Sequence, residues 1–256
     1  IAGNYLLKLT ASDTQFASAD EVAIMVNPAG PVLPPDPSTV APPINRTVTT
    51  TIAFATEFLY TGENPIQTGI APGAIEPVRA AVLRGKIIQR DGSPLPGVKI
   101  QIKDHAEYGS TLSRADGMFD LAVNGGGLLT VNYEKAGFPS LQRQVHPPWQ
   151  DYGWLPQVAM IPFDSQVSTV QVGPSSPMQI ARGNLVTDEN GTRRATLLFP
   201  ATVSASLEMS DGTSQPVNTL NVRLTEYTVG SRGPMAMPGI LPPQSAYTYC
   251  VELTAD

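Results

Sequence analysis

The residues able to carry polar chemistry are few. The chain of 256 residues has one cysteine, Cys250, and two histidines, His105 and His146. A zinc site needs three or four nitrogen or sulfur ligands, and these three positions are widely spaced. No G-x-S-x-G turn occurs, and neither histidine accompanies a serine in a way that would build a hydrolase triad. Gly125-Gly126-Gly127 follows one strand-like run and leads into another, whereas a phosphate loop would open a helix. Asp116 with Asp120, and Asp188 with Glu189, are carboxylate pairs of the kind glycosidases use. All four sit in or beside turns, which acidic side chains commonly initiate. Calcium is the one metal the acidic residues suggest. Asp13, Asp20 and Glu21 flank the first hairpin, and Asp188-Glu-Asn-Gly191 matches part of an acidic loop, without the full EF-hand spacing. No other cofactor is expected.

The densest aromatic cluster is His146-Pro-Pro-Trp149-Gln-Asp-Tyr152-Gly-Trp154. Exposed, Trp149, Tyr152 and Trp154 would form a platform for a glycan or a protein. Buried, they would seal one module against the next. The second reading is favoured, because Trp and Tyr supply large apolar area where a domain contact needs it. Cys250, in YTYCVEL, reads as a small half-buried residue rather than a reactive thiol.

These residues must be positioned by short strands. Hydrophobic residues make up 41% and charged residues only 15%, while 25 prolines and 22 glycines recur between alternating runs. That punctuation predicts an all-β fold of tandem β-sandwich modules. A net charge of −6 argues against a nucleic-acid partner. No run reaches the roughly 18–20 apolar residues of a membrane helix, so no insertion is expected. A single cysteine fits a bacterial secreted or surface protein better than a disulfide-stapled domain. The chain opens on Ile1-Ala-Gly-Asn-Tyr-Leu-Leu-Lys-Leu as if inside a strand, which suggests a piece of a longer protein.

Residues 1–28 read as a hairpin, the terminal strands of a module. Residues 29–46 form a Pro-rich linker, with seven prolines between 28 and 43, read as semi-rigid and extended. Residues 47–79 read as a strand, TVTTTIAFATEFLY, and an irregular connection. Residues 80–163 hold about seven strands, with Val98, Ile100 and Ile102 facing one way and Lys99, Gln101 and Lys103 the other. Residues 164–256 form a C-terminal β module of similar style. Within the middle segment, Asp116-Gly117 between alternating runs predicts a tight hairpin. Asp91-Gly92 and Gly97 mark another turn cluster.

At this point a family becomes recognisable. LRGKIIQRDGSPLPGVKI, SRADGMFDL and LTVNYEKAGF resemble the carboxypeptidase regulatory-like, transthyretin-like β-sandwich. The matching features are Gly85 in the first strand, Asp91-Gly92 before Pro94–Val98, Asp116–Leu121 as D-G-x-F-x-L, and Gly137-Phe138. The version is similar to that of bacterial RHS/YD-repeat proteins and the related teneurins, through SRADGMFDLAVNGGG, PPWQDY-x-WLP, GTRRATLLFP, TEYTVG and AMPGILPP. Residues 1–28 resemble the end of a PKD or Ig-like module. The histidines, arginine and terminal Y-R-G-S of 5-hydroxyisourate hydrolase, which shares the fold, are not matched, and fold alone does not carry function. The resemblance implies a non-catalytic structural segment of a large secreted or cell-surface protein. Its partners would be other modules of the same parent chain, including a downstream YD-repeat shell. An adhesion module for a cell-surface glycan or protein is the alternative.

Overall fold

The computed structural model describes residues 3–12, 15, 17–26, 30–240, 244 and 249–255. The architecture is all-β. The chain divides into two compact units, Ile1–Val32 and Leu33–Asp256.

The first unit is an antiparallel hairpin of β1 (Gly3–Ser12) and β2 (Ala17–Val26), in register from Gly3 opposite Val26 to Ser12 opposite Ala17. Lys8 and Glu21 face each other across it and pair at 3.0 Å. Leu7 and Val22, also opposed, leave their side chains exposed.

The second unit begins with the Pro-rich stretch, which is not uniformly extended. Asp36 accepts the Ser38 N–H at 2.8 Å and caps a single turn, α1 (Pro37–Val40). Pro37 fits the first helical position, where its missing N–H costs nothing, and it is buried. The strand expected over residues 47–60 is also corrected. Thr51 Oγ1 accepts the Phe54 N–H at 3.3 Å and starts the helix α2 (Ile52–Thr56), followed by a 3-10 turn over Glu57–Leu59. β-branched composition suggested a strand, but threonine is equally an N-cap, and here the cap decides. The 3-10 turn buries Leu59 against Ile66 and Val82.

The sandwich follows. Its strands are β3 (Gln67–Thr68), β4 (Ala80–Gln89), β5 (Lys99–Ile102), β6 (Ser110–Leu112), β7 (Met118–Asn124), β8 (Leu129–Glu134), β9 (Leu141–Val145), β10 (Tyr152–Trp154) and β11 (Val158–Met160). One sheet runs β3-β6-β5-β8-β9 and is antiparallel throughout. The other is built on β4, with β7 antiparallel on one side and β10 and then β11 parallel on the other. Period-2 alternation buries Val98, Ile100 and Ile102 with Val131 and Tyr133, against Leu83, Ile87, Phe119 and Leu121. Each such side chain contributes about 1.5–3 kcal/mol on burial. Gly85 lies under the Phe119 ring, and a Cβ there would come within 2.7 Å of it. Phe119 in turn meets Tyr133 edge-on, with centroids 5.9 Å apart.

The C-terminal part contributes β12 (Ser168–Gln171), β13 (Gln179–Arg182), β14 (Val186–Asp188), β15 (Gly191–Arg193), β16 (Thr196–Phe199), β17 (Ala205–Glu208), β18 (Ser214–Val217), β19 (Thr219–Glu226), α3 (Gly233–Ala236) and β20 (Val251–Ala255). β12, β19 and β20 form a three-stranded sheet, and the others pair in twos. Val170, Val172, Ala181, Val222 and Leu224 make a second, smaller core. The two parts are joined by apolar contact: Tyr227, Ala236 and Met237 lie inside the core of the first sandwich. Arg143 of β9 donates to the carbonyls of Met237 at 2.9 Å and Met235 at 2.8 Å, and Gln142 N–H donates to Pro238 O at 2.8 Å.

Candidate functional site

The aromatic cluster is the site the sequence singled out, and β10 positions its key members. Gln150, with φ of 53°, turns the chain, and its N–H donates to Ala80 O at 2.9 Å. Asp151 accepts the Tyr152 N–H at 2.7 Å and starts the strand. The parallel register sets Tyr152 opposite Val82 and Trp154 opposite Arg84. Residues two apart share a face, so both rings flank the Arg84 side chain. Its guanidinium carbon lies 4.8 Å from the Tyr152 ring centroid and 5.4 Å from that of Trp154. Such cation–π contacts stabilise by about 0.5–1 kcal/mol at exposed positions.

The burial favoured for these aromatics is corrected. Trp149 is 61% exposed and Trp154 64%, while Tyr152 is half-buried. The reason lies in the strand's place. Trp154 stands beside Arg84 on the face away from buried Leu83 and Gly153; on that face Leu59 and Ile66 cover Val82 and Tyr152, and Trp149 precedes the strand. Trp149 rests on the three-glycine stretch. A Cβ on Gly126 would collide with its indole, and one on Gly125 with the Pro148 carbonyl. The glycines therefore end β7 and also admit the 147–149 segment.

Behind Arg84 stands a carboxylate that the sequence did not single out for this role. Arg84 Nε donates to Asp120 Oδ1 at 2.5 Å, and Arg114 Nη1 takes Oδ2. Asp120 is wholly buried. One carboxylate shared by two guanidiniums fixes Arg84 from beneath while the rings fix it from above. The signal was present in an acidic residue between Phe119 and Leu121, but only the pairing of Arg84 with Asp120 across β4 and β7 gives it meaning.

The acidic residues of the calcium expectation that are described have other partners. Asp13 lies outside the described residues. Asp20 accepts the N–H of Glu21 at 2.9 Å, and Glu21 is engaged by Lys8. Asp188 is held by both Nη atoms of Arg193 at 2.8 Å. Among the described residues, no three His, Cys, Asp or Glu side chains stand close enough to hold a metal. His105 bonds Glu107 at 2.8 Å, and His146 is exposed on another segment. Cys250 precedes β20 and is half-buried against the larger core, where burial pushes its thiol pKa up.

The turn residues take the roles their types suggest. Asp91 accepts the Ser93 hydroxyl at 2.6 Å and its N–H at 2.9 Å, which holds the carboxyl below its usual range. Gly92 and Gly97 adopt φ of 92° and 70°. The hairpin expected at Asp116-Gly117 is corrected to a tight turn between the two sheets, because β6 pairs with β3 and β5 while β7 pairs with β4. Asp116 accepts the Met118 N–H at 2.9 Å, and Gly117, at φ 78°, closes the turn by donating to Arg114 O at 2.9 Å. Gly117 O also accepts the Ile87 N–H at 2.9 Å.

With this geometry in place, comparison with known proteins is informative. Residues 75–160 match the family model of the Teneurin TTR-like domain. The chain is 36% identical over 107 residues to Teneurin-1 of Gallus gallus, covering 41% of this chain and 4% of that protein. It is 39% identical over 88 residues to Teneurin-3 of Mus musculus, covering 34% and 3%. It is 40% identical over 82 residues to Teneurin-m of Drosophila melanogaster, covering 32% and 3%. The chain thus spans 3 to 4% of the length of these curated relatives. All three are animal proteins, so they carry the teneurin side of the resemblance rather than its bacterial side. The sandwich on β4–β11 is similar to the teneurin TTR-like domain, over about a third of this chain.

Proposed function

We propose that the chain is a non-catalytic structural segment of a large secreted or cell-surface protein of the teneurin and RHS kind. In this reading the TTR-like sandwich and the β module after it act as one rigid body that holds neighbouring modules of the parent chain. The observation that carries it is the shared core. Tyr227, Ala236 and Met237 are buried among the sandwich's own residues, and Arg143 ties their segment down through two carbonyls. A flexible tether would not need either. The test is calorimetry on residues 33–256 and on residues 33–163 alone. The longer fragment should unfold in one transition, and the shorter should melt at least 10 °C lower. Equal melting temperatures would overturn the rigid-body reading.

The exposure of Trp149 and Trp154 favours a second reading, in which the same body also binds a cell-surface glycan or protein through Trp149, Tyr152 and Trp154. Exposed aromatics beside a fixed guanidinium suit a partner with an apolar face and an acceptor group. A glycan array probed with the wild type and with Trp149→Ala and Trp154→Ala tests it. Binding that both substitutions leave intact, or no binding at all, would remove it.

A further inference from the structure

The seam between the sandwich and the β module contains a cleft of about 730 Å³. It lies away from the aromatic face. Ile161, Phe163 and Leu185 give it an apolar wall, and Arg90, Asp91, Asp164 and Glu226 line it with one cation and three carboxylates. A cleft with an apolar wall and a few convergent polar groups is the usual form of a binding site.

Glu226 is the informative residue. It is 5% exposed. Its Oε1 accepts from Arg193 Nε at 2.7 Å and from the Thr228 hydroxyl at 2.9 Å. Its Oε2 is buried and has no hydrogen-bond partner among the described residues. Arg193 does not bond that second oxygen: its Nε serves Oε1, and its Nη atoms turn to Asp188 at 2.8 Å. Arg90 does not serve it either. Its Nη2 donates to the backbone carbonyl of Glu226 at 2.7 Å, and its Nε is without a partner among the described residues. Asp164 is engaged on both oxygens by the Gln166 N–H and by the backbone and side-chain nitrogens of Asn184, at 2.6–2.9 Å. A buried carboxylate oxygen left unpaired is costly, so a donor that reaches it gains the most here.

We propose that this cleft is a docking site for a basic side chain, arginine or lysine, of an extended polypeptide partner. The charged end reaches toward Glu226, and the apolar stem lies along Phe163 and Leu185. The excess of carboxylate over guanidinium in the lining selects a cation, and the apolar wall selects a long stem over a bare ammonium ion. The site does not depend on the structural role proposed above, since a rigid seam could exist without a ligand.

The experiment uses the full chain and two synthetic peptides, acetyl-Gly-Leu-Arg-Leu-Gly-amide and the same peptide with Gln for Arg, followed by NMR titration. The arginine peptide should shift resonances of residues lining the cleft and bind at least ten-fold more tightly than the glutamine peptide. Its affinity should fall several-fold between 50 mM and 500 mM salt, as screening requires. Leu185 is 58% exposed, so Leu185→Arg can fill the cleft without disturbing the core, and it should abolish the shifts. Glu226→Gln should weaken binding as well, but it also breaks the Arg193 pair, so Leu185→Arg is the decisive variant. Equal affinity for the two peptides, shifts that survive Leu185→Arg, or no shifts at millimolar peptide would each overturn the proposal.

Discussion

The carboxamide of Gln67 pairs with the backbone of Ala122 as a neighbouring strand would. Its Nε2 donates to Ala122 O at 2.9 Å, and its Oε1 accepts the Ala122 N–H at 2.7 Å. Nε2 also reaches Tyr108 O at 2.6 Å. β7 is paired by strand β4 on one side only, so a single wholly buried side chain satisfies part of its other edge. Asn124, within β7, makes the converse contact: its side chain accepts the Glu76 N–H and donates to Ala74 O, both at 2.8 Å.

Gln67→Leu keeps the volume but leaves Ala122 N–H and two carbonyls without partners. It should lower stability by about 3–5 kcal/mol, the cost of several buried groups left unpaired. Urea unfolding followed by fluorescence measures it, and a loss under about 1 kcal/mol would show that the edge finds other partners.

Gly117→Val forces a β-branched residue into φ 78° and drives its Cβ toward the Ile87 carbonyl. The left-handed backbone alone costs about 1–2 kcal/mol, and the collision adds to it. The sandwich should melt well below the wild type or fail to fold, while Asp116→Asn, which keeps the acceptor for Met118 N–H, should remain close to wild type in a thermal melt.

Arg143→Met removes the donors that hold the carbonyls of Met235 and Met237. The expected loss is about 2 kcal/mol, in line with hydrogen bonds from a charged group. It should be local. Amide exchange across residues 233–238 should rise sharply while that of β4 and β8 stays slow. Unchanged exchange in 233–238 would place the hold on that segment elsewhere.

Asp188 sets a pH response. The Arg193 guanidinium, with the N–H groups of Gly230 and Asn190, holds its carboxyl well below its ordinary value of 3.8. The folded state therefore binds fewer protons than the unfolded state as pH drops through this interval. The stabilisation is complete above about pH 4 and is lost as pH falls toward the folded value. Urea midpoints at pH 6, 4, 3 and 2 should fall more steeply for the wild type than for Asp188→Asn. The variant starts lower at pH 6, and the gap between the two should narrow steadily down to pH 2. Parallel curves would mean that Asp188 does not contribute to the acid sensitivity.

Much of the sandwich was legible in the chain itself. Strict alternation of Val98, Ile100 and Ile102 with lysines and glutamine assigns β5 and its faces, because a strand's side chains alternate by geometry alone. Asp116-Gly117 and Asp91-Gly92 fix their turns, since few residues accept positive φ and acidic side chains cap the next N–H. The resemblance over the middle of the chain rests on those same local signals. Residues 47–60 misled because threonine serves a strand and a helix cap equally well, and only the available partners separate the two.

What the tertiary structure alone decided depends on distant pairings that no local pattern encodes. Trp154 is exposed because the register of β10 on β4 sets it beside Arg84, on a face that other segments cover only at Val82 and Tyr152. Asp120 locks Arg84 only because β4 and β7 are in register at that pair. Gln67 and Ala122 meet across fifty-five positions of sequence. The seam, with Tyr227 and Met237 in the sandwich core and Glu226 half-satisfied beside a cleft, arises where two segments fold back onto one another. Alternation and turn chemistry are properties of neighbours along the chain, whereas exposure, charge pairing and clefts are properties of neighbours in space.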